Sequence, residues 1–467
     1  MTTLTTPRST RRWLALTVLA LAQFLVVLDA SIVNIALPSL GDDLGLDTAG
    51  LSWVITAYIL AFGGLLLLGG RLADRYGHRR LFLTGTAGFV VASAVAGFST
   101  SGEMLLAARA LQGISAALLA PASLALVTKL FVTSADRAKA LGIWGAVAGI
   151  GSAAGVLLGG VLTGAFGWQS VFFVNLPIGL IVLVAIPFLI TRDSRQERTR
   201  LDLAGAITIT LGLAALVGTL SSAEQNGFVD VTTLALGVAA VALLAAFVVI
   251  EKRTALPLVT FGIFRNSSVT AGNLAILLAG AGMVGLFFAL SVYMQAVLGY
   301  DALAAGLSQL PLAGALVVVA GLIPPVVTRF GPRRVLVVSL LVFAAGLVWL
   351  AQAPSDAAFV VHLLGPTLVI GSGIGGAFIA GTQLAVDGVD DADSGLAGGL
   401  VNTSQQIGGA LGLAILSTVA AARTESLQSA GASAADAMTG GLSWMFYGAA
   451  IAAVAASIVA GVVRERR

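Results

Sequence analysis

The sequence predicts an all-α membrane protein with fourteen transmembrane helices. Of its 467 residues, 58% are hydrophobic and only 10% are charged, whereas a soluble domain usually carries about 25% charged residues. The mean hydropathy is +1.00, and apolar segments of about 20 residues, the length that a membrane-spanning helix needs, recur along the whole chain. The connections between these segments are short, so we expect no soluble domain between them.

Fourteen apolar segments are the candidate spans. They lie near residues 13–38, 51–70, 81–98, 104–128, 140–163, 169–191, 203–221, 231–250, 268–298, 304–328, 334–352, 357–386, 395–421 and 441–463. The first segment is about 25 residues long and exceeds the apolar core of about 7–15 residues in a cleavable signal peptide, so we expect a retained span. The longest polar stretch, around 422–440, consists of small residues and is predicted to be a flexible loop.

The positions of the basic residues support this count of spans. With fourteen alternating spans, 23 of the 25 Lys and Arg residues fall on one side: before span 1, between spans 2 and 3, 4 and 5, 6 and 7, 8 and 9, and 10 and 11, and after span 14. A miscount by one span would scramble this pattern. Basic loops stay in the cytoplasm, so we expect both termini there. The pI of about 9.5 then reflects membrane topology and not nucleic-acid binding.

Residue types that are rare in this chain exclude several kinds of chemistry. There is no cysteine, which excludes a disulfide, an iron–sulfur cluster and a thiol nucleophile. The two histidines, His78 and His362, lie far apart without ligand-like neighbours, which argues against a zinc site. None of the three lysines, Lys129, Lys139 and Lys252, follows a glycine, so there is no Walker-type phosphate loop to use ATP. With no nucleophile–base pair or metal cluster, we expect neither an enzyme nor a cofactor.

A basic, glycine-containing turn occurs twice in the chain. The first copy, between spans 2 and 3, reads GRLADRYGHRR at 70–80, and the second, between spans 10 and 11, reads TRFGPRR at 328–334. Thr328 takes the place of Asp74 in the second copy. Two halves that share a turn indicate duplication, the plan of many secondary transporters. We therefore predict a six-helix bundle at 1–200, two additional helices with linkers at 201–255, and a second six-helix bundle at 256–467.

Several motifs resemble those of the major facilitator superfamily. The turn at 70–81 is similar to its hallmark loop, and LDASIVNIALP at 28–38 resembles the first-span motif of its fourteen-span drug:proton antiporter subfamily. Further matches are RALQG at 109–113, the glycines between 145 and 160, NLPIG at 175–179, QAVLGY at 295–300 and NTSQQIG at 402–408. Val156 and Gln169 depart from the pattern, where proline and arginine are usual. The resemblance implies the major facilitator fold, two six-helix bundles plus two extra transmembrane helices.

The resemblance also implies a function in multidrug efflux and antibiotic resistance. We expect a secondary transporter that exports amphipathic or hydrophobic small molecules in exchange for protons, by rocking of two bundles about a midplane site. It would use the proton gradient and no cofactor. Its partners would be the substrate, protons and the lipid bilayer, with neither nucleic acid nor ATP. We expect a monomer. The membrane would be a bacterial cytoplasmic membrane, because the heavy use of Ala and Gly and of Arg over Lys is typical of GC-rich bacteria.

Two alternative functions remain open at this point. One is a dedicated exporter of a single metabolite or antibiotic, which differs from a multidrug exporter only in substrate range. The other, from a different class, is a membrane receptor or sensor. The receptor is less favoured, because the chain has no soluble domain that could relay a signal.

Two ionisable residues lie within the apolar spans and are candidates for proton coupling. Asp29 in span 1 and Arg109 in span 4 lie roughly 13 Å and roughly 9 Å from the same side of the membrane, at 1.5 Å per helical residue. Ionisable residues inside the bilayer are rare and usually functional. An ion pair is possible if the two spans adjoin. Such a pair either takes part in proton coupling or only neutralises itself and holds two helices together.

Polar and aromatic residues in several spans are candidates for the wall of a substrate cavity. They are Gln23, Asn34, Tyr58, Gln112, Phe287, Met294, Asn402 and Gln406. Amides in a membrane helix can line a substrate path, but they also tie helices together at about 0.6 kcal/mol each. The aromatic residues and methionines can equally be packing or lipid-facing residues, so both interpretations stay open.

Two further motifs are predicted to act on conformation and not on substrate. In the hallmark loop, Gly70, Asp74, Arg75, Gly77 and Arg79 combine acidic and basic side chains at helix ends, and we expect them to stabilise one access state. Gly151, Gly155 and Gly159 of span 5 fall on one helix face. Glycines at this spacing let a neighbouring helix approach closely, so we predict a packing and hinge surface.

Overall fold

A computed structural model of the chain describes residues 8–131, 134–191, 202–227, 229–254, 257–389 and 394–462, and every regular element in these ranges is helical. The helices are α1 (Arg8–Leu44), α2 (Thr48–Tyr76), α3 (His78–Gly97), α4 (Gly102–Leu130), α5 (Ser134–Phe166), α6 (Ser170–Phe173), α7 (Asn175–Leu189), α8 (Leu203–Asn226), α9 (Val231–Arg253), α10 (Ser267–Val292), α11 (Ala302–Leu322), α12 (Pro324–Phe330), α13 (Pro332–Leu350), α14 (Leu364–Ala385), α15 (Ser394–Ser429) and α16 (Ala434–Val462). One 3₁₀ turn (Phe261–Arg265) precedes α10, and π-helical turns follow α10 (Tyr293–Val297) and precede α14 (Phe359–Leu363).

These helices confirm the predicted all-α membrane fold. Among the described residues, 13 helical segments are long and apolar enough to cross a membrane, with α6 and α7 forming one of them. Helix α5, which is 33 residues long, supplies the remaining span, and its described apolar part is Ile150–Phe166. In lipid every backbone polar group must be satisfied within the segment, so apolar runs of this length form helices.

Two local predictions differ from the structure. The span predicted at 304–328 is interrupted: α11 ends at Leu322 and the short α12 begins at Pro324, because a proline pair cannot continue the backbone hydrogen bonds of a helix. The prediction of a flexible loop around 422–440 is wrong. Helix α15 continues to Ser429 and α16 starts at Ala434, because this stretch is rich in Ala, the strongest helix former, and contains no proline.

The helices form two bundles and a hairpin. In the first bundle α1 packs on α5, α2 and α3 pack on α4, and α7 packs on α1 and α3. In the second bundle α10 packs on α14, α15 and α16, while α13 and α11 pack on α14. Helices α8 and α9 form the hairpin, and α8 contacts α2 and α15. The breaks that we predicted between these parts, near 200 and 255, fall at residues outside the described ranges.

The two bundles meet along two pairs of helices, α2 with α15 and α5 with α11. Glycines bring these backbones together: a β-carbon added at Gly160 of α5 would lie 2.6 Å from the carbonyl oxygen of Ala302. In the same way, a β-carbon at Gly306 of α11 would lie 2.8 Å from the carbonyl oxygen of Val156. Small residues at such contacts are typical of helix packing in membranes.

The ends of the helices define two faces of the molecule. We call the end where α2 and α3 meet, with Arg71, Arg75 and Arg79, the basic face, and the other end the opposite face. Near the opposite face, α1 and α10 are joined across the two bundles. The Ser291 hydroxyl donates a hydrogen bond to the carbonyl oxygen of Asn34, and Gln295 Nε2 donates to that of Ile35 at 3.0 Å. The bundles are therefore fastened together towards the opposite face.

Candidate functional site

A buried polar cluster occupies the interior of the first bundle. Arg109 Nη1 lies 2.6 Å from Asp29 Oδ2, so α4 and α1 are joined by an ion pair. Gln112 Nε2 and Asn175 Nδ2 donate to Asp29 Oδ1 at 2.9 and 2.8 Å. The hydroxyl of Ser93 accepts from Gln112 at 2.8 Å and from Asn175 at 3.3 Å. We call these five residues, from α1, α3, α4 and α7, the buried polar cluster.

Helix α2 fixes the guanidinium of Arg109 in place. Arg109 Nε donates to the carbonyl oxygen of Val54 at 3.1 Å, and its guanidinium lies 4.4 Å from the ring centroid of Tyr58. The same guanidinium also bonds Gln112 Oε1 at 2.8 Å. A cation over an aromatic face is attracted by the ring, and more strongly where water is excluded. Arg109 therefore connects α1, α2 and α4 through one side chain.

The start of α4 explains why Arg109 is at this depth. Ser101 caps the helix by accepting a hydrogen bond from the backbone nitrogen of Met104 at 3.3 Å. Arg109 and Gln112 follow at a spacing of three residues, which places both side chains on one face of α4. The cap thereby sets the register in which these two side chains meet Asp29.

The cluster is closed off from solvent. Asp29 is 0% exposed and Arg109 is 1% exposed, and the charge of each is compensated by the other. Removing one partner of a buried ion pair usually costs about 3–5 kcal/mol, because the other charge remains without compensation. A proton on Asp29 would have the same effect on Arg109. A role of this pair in proton coupling remains a prediction.

The structure settles the pairing of Asp29 with Arg109 that the sequence left open. It also places Gln112, which we predicted in a cavity wall, inside the buried polar cluster. Ser93 and Asn175 were missed as members of the site. Asn175 lies in one of the family-like motifs, which was a signal that could have found it. Ser93 is an ordinary small residue of an apolar helix, and its sequence offers no such signal.

Three of the cavity candidates are fully buried in this structure. Tyr58, Gln112 and Met294 are 1%, 0% and 0% exposed. Tyr58 packs on Arg109, and Met294 lies in the π-helical turn after α10, within the hydrophobic core. These contacts agree with the packing interpretation, and a contact with substrate remains a prediction for the three residues.

The other five cavity candidates keep some accessible surface. Gln23, Asn34, Phe287 and Gln406 are half-buried, and Asn402 is exposed. The amides of Asn34 and Asn402 donate to carbonyl oxygens of their own helices, four residues earlier. Gln406 packs beside Gly63, where α15 meets α2. A contact with substrate remains a prediction for these five residues.

One polar residue that the sequence analysis missed is Gln309 of α11. Its side chain is 0% exposed, and neither amide atom has a hydrogen-bond partner among the described residues. A buried amide without partners is costly and is rare in folded proteins. Gln309 is therefore a candidate for a polar contact that forms in another state of the molecule.

The hallmark loop forms a chain of contacts at the basic face. Asp74 Oδ1 lies 3.2 Å from His78 Nε2, and Lys129 Nζ lies 2.8 Å from His78 Nδ1, which links α2, α3 and α4. Between α2 and α3, Gly77 has a φ of 95°, which a side chain would disfavour. Arg79 donates to the carbonyl oxygen of Pro187 at the end of α7.

The other predicted loop residues are part of the same turn. Arg75 lies over the ring of Tyr76, at 5.2 Å from its centroid, and Gly70 is in contact range of Pro121 on α4. A role of this loop in stabilising one access state remains a prediction. What the structure shows is that the loop joins four helices of the first bundle.

The predicted glycine surface of α5 faces α1. A β-carbon added at Gly155 would lie 2.6 Å from Ser31 Cβ, and one at Gly159 would lie 2.9 Å from the carbonyl oxygen of Ile32. Gly151 lies against Phe24 in the same way. The three glycines thus let α5 lie directly against the helix that carries Asp29.

Comparisons with known proteins agree with this architecture. The model of the family described as Major Facilitator Superfamily matches residues 19–413. Puromycin resistance protein pur8 of Streptomyces alboniger is 42% identical over 422 residues, 89% of this chain and 83% of that protein. Cephamycin export protein CmcT of Amycolatopsis lactamdurans is 43% identical over 417 residues, 88% of this chain and 85% of that protein.

A third relative and a solved structure extend the comparison. Multidrug resistance protein Stp of Mycobacterium tuberculosis (strain ATCC 25618 / H37Rv) is 32% identical over 409 residues, 88% of this chain and 76% of that protein. The crystal structure of an auto inhibited POT family peptide transporter has a TM-score of 0.69 at 16% identity, covering 97% of this chain and 98% of that one. At this identity the likeness shows the fold alone.

Proposed function

We propose that this chain, which belongs to the Major Facilitator Superfamily, exports small hydrophobic or amphipathic molecules in exchange for protons. It is a transporter and not an enzyme, and relatives that match most of its length are named for antibiotic resistance or export. The proton-coupled step is the part that rests on the geometry of the buried polar cluster. We assign it to Asp29 and Arg109.

The observation that carries the proposal is the ion pair of Asp29 with Arg109 inside the first bundle. When Asp29 takes up a proton, the guanidinium of Arg109 stays charged but loses its counter-ion. The bundle must then rearrange, because an uncompensated charge at this depth is expensive. When the proton leaves, the pair re-forms and the arrangement seen here is restored.

Helix α1 connects this step to the boundary between the bundles. The carbonyl oxygens of Asn34 and Ile35 accept hydrogen bonds from Ser291 of α10 and from Gln295 of the π-helical turn after it. They follow Asp29 by about 8–9 Å along the helix axis. A shift of α1 after protonation therefore acts directly on the contacts that fasten the bundles near the opposite face. In this way the protonation state of Asp29 would act on the opening and closing of that face, and so link proton binding to the alternation that an antiporter requires.

The membrane orientation of the proposal follows from the charges. Both termini lie in the cytoplasm, the basic face is cytoplasmic, and the membrane is the bacterial cytoplasmic membrane. Protons driven inwards through the opposite face would then reach Asp29 as substrate leaves. The transporter functions as a monomer, without ATP or a cofactor.

Two kinds of exporter fit this proposal and differ in substrate range: a multidrug exporter and a dedicated exporter of one antibiotic. The first is supported by the relative named as a multidrug resistance protein, and the second by those named for puromycin and cephamycin. Competition decides between them. A dedicated exporter would be inhibited only by close chemical analogues of its substrate, whereas a multidrug exporter would be inhibited by unrelated hydrophobic compounds.

The coupling step is tested with Asp29→Asn in proteoliposomes. The amide resembles the protonated acid in size, and Arg109 keeps the Val54 carbonyl and the Tyr58 ring, so the protein should fold. We expect Asp29→Asn to lose efflux driven by a pH gradient but to keep the exchange of labelled for unlabelled substrate, which needs no net proton movement. The matched control is Asp42→Asn, the same change at an exposed position of the same helix. Full gradient-driven efflux by Asp29→Asn would refute the assignment.

A further inference from the structure

A buried pair of acidic residues lies apart from the buried polar cluster, where α8 begins and α9 ends. Asp202 and Glu251 are only 6% and 3% exposed. Asp202 caps α8, since its Oδ1 accepts a hydrogen bond from the backbone nitrogen of Gly205 at 2.7 Å. Glu251 Oε2 accepts one from the backbone nitrogen of Val259 at 3.1 Å. Each carboxyl group thus uses one oxygen to hold the backbone.

The remaining oxygens of the two acids share one small space. Asp202 Oδ2 and Glu251 Oε1 are buried and have no hydrogen-bond partner among the described residues. They lie 2.8 and 2.7 Å from the position that a β-carbon on Gly205 would take. Two carboxylates that share a site cannot both remain ionised at low cost, and a proton on one of them supplies the missing donor. One proton, held by either acid, would thus lower the charge of the pair and place a donor beside these oxygens.

The acidic pair holds down the segment that leads into α10. We call residues 257–264 the strap. Arg71 of α2 donates to the carbonyl oxygen of Pro257 at 3.1 Å, while Glu251 of α9 accepts from Val259. Buried side chains of the strap form a hydrophobic cluster with α2, α8 and α15: Leu258 and Val259 with Leu68, Ala206 and Leu400. Since α2 and α15 belong to different bundles, the strap lies across the boundary between them.

Few other charges act on this pair. Arg71 faces Glu251 from α2. The side chains that α15 and the strap contribute to the hydrophobic cluster are apolar. On the last turn of α9, Lys252 and Arg253 are exposed to solvent. Among the described residues, the proton balance of the pair is therefore set by the two acids, by Arg71 and by the access of water from the basic face.

We propose that Asp202 and Glu251 form a proton-binding site that fastens the strap across the two bundles. With one proton bound, an O–H group of one acid donates to the free oxygen of the other, and Glu251 keeps the Val259 backbone in place. When the proton passes to water at the basic face, two anions repel each other. Glu251 then turns towards Arg71 and the Val259 hydrogen bond is lost, so the strap is released. The site is separate from Asp29 and does not depend on the proposed proton coupling.

A spin label on the strap tests this site directly. The chain contains no cysteine, so Thr260→Cys gives a single labelling position on an exposed strap residue. We expect the label, in lipid nanodiscs, to be immobile at low pH and mobile at high pH, with a single one-proton transition between the two. In Glu251→Gln the amide donates to Asp202 permanently, so the label should stay immobile throughout. Asp202→Asn should behave alike, since asparagine also caps helices.

Two matched controls separate this site from other acids. Asp230 caps α9 at the other end of the hairpin, and Asp230→Asn should leave the transition unchanged. Asp29→Asn should also leave it unchanged, whatever its effect on transport, so the two proposals fail independently. A label whose mobility does not depend on pH in the unmutated chain would overturn the inference. A pH-dependent transition that persists in Glu251→Gln would also overturn it. So would a strap that is mobile at every pH in this variant, because the neutral amide donor should keep the strap in place.

Discussion

The buried ion pair predicts a strong coupling between Asp29 and Arg109 in stability. In Arg109→Met, Asp29 keeps its hydrogen bonds from Gln112 and Asn175 but loses its counter-ion at 0% exposure. Breaking such a pair costs about 3–5 kcal/mol of unfolding free energy. Because two hydrogen-bond donors to Asp29 remain, we expect a loss of about 3 kcal/mol. Asp29→Asn leaves Arg109 with the Val54 carbonyl and the Tyr58 ring, so we expect a similar loss.

The double variant measures the interaction itself. If the two residues act as a pair, the combined variant should lose far less than the sum of the single losses, with a coupling energy of about 2–3 kcal/mol, as for residues in direct contact. The purified protein is unfolded in mixed detergent micelles with increasing dodecyl sulfate, and circular dichroism monitors the loss of helix. The losses in unfolding free energy of the two single variants and of the double variant are then compared. Asp42→Asn, on the exposed end of α1, serves as the control and should change stability little. Strictly additive losses would refute the reasoning.

Three further predictions concern orientation, the hallmark loop and α11. A reporter fused at residue 226 should be external and one at residue 77 cytoplasmic; a cytoplasmic signal at 226 would mean that the α8–α9 hairpin is misplaced. Asp74→Asn removes the negative charge beside His78 and should give a folded protein with transport slowed about twentyfold, equal to about 1.8 kcal/mol; wild-type initial rates would exclude a switching role. Gln309→Leu removes two unsatisfied amide atoms, so it should unfold at a higher detergent concentration yet transport more slowly. Unchanged transport would show that Gln309 has no contact in the cycle.

The fold was predictable from the sequence because the bilayer restricts the possibilities. Apolar length fixes the helices, and the alternation of basic loops fixes their count. The same reasoning failed at 422–440, where small polar residues indicated a loop but the helices α15 and α16 continue almost to each other. A polar composition indicates that a segment is exposed to water, but it does not fix the backbone conformation. Helix propensity and packing decide whether the segment is helical.

The candidate site was predictable only in part, because the sequence does not show which helices pack side by side. Depth along the spans placed Asp29 and Arg109 at similar levels, and the structure pairs them. Depth could not show that α3 and α7 add Ser93 and Asn175, or that Tyr58 lies on the guanidinium. These contacts depend on which helices are neighbours and on how each is rotated about its axis.

The acidic pair under the strap illustrates the same limit. Asp202 and Glu251 are far apart in the sequence and lie at the ends of two spans, where charged residues are ordinary. Only the hairpin of α8 and α9 brings their free oxygens to the same glycine. The additional helices of the chain therefore contribute a titratable contact beside the bundle boundary, which their apolar composition alone does not suggest.

The central claim is that export is coupled to protons through Asp29. Its most direct test is proton movement in proteoliposomes that contain a pH-sensitive dye and no imposed gradient. An outward-directed substrate gradient should move protons in the opposite direction, and the dye should report this change for the unmutated chain and for Asp42→Asn but not for Asp29→Asn. Substrate flux without any change of internal pH in the unmutated protein would contradict the account.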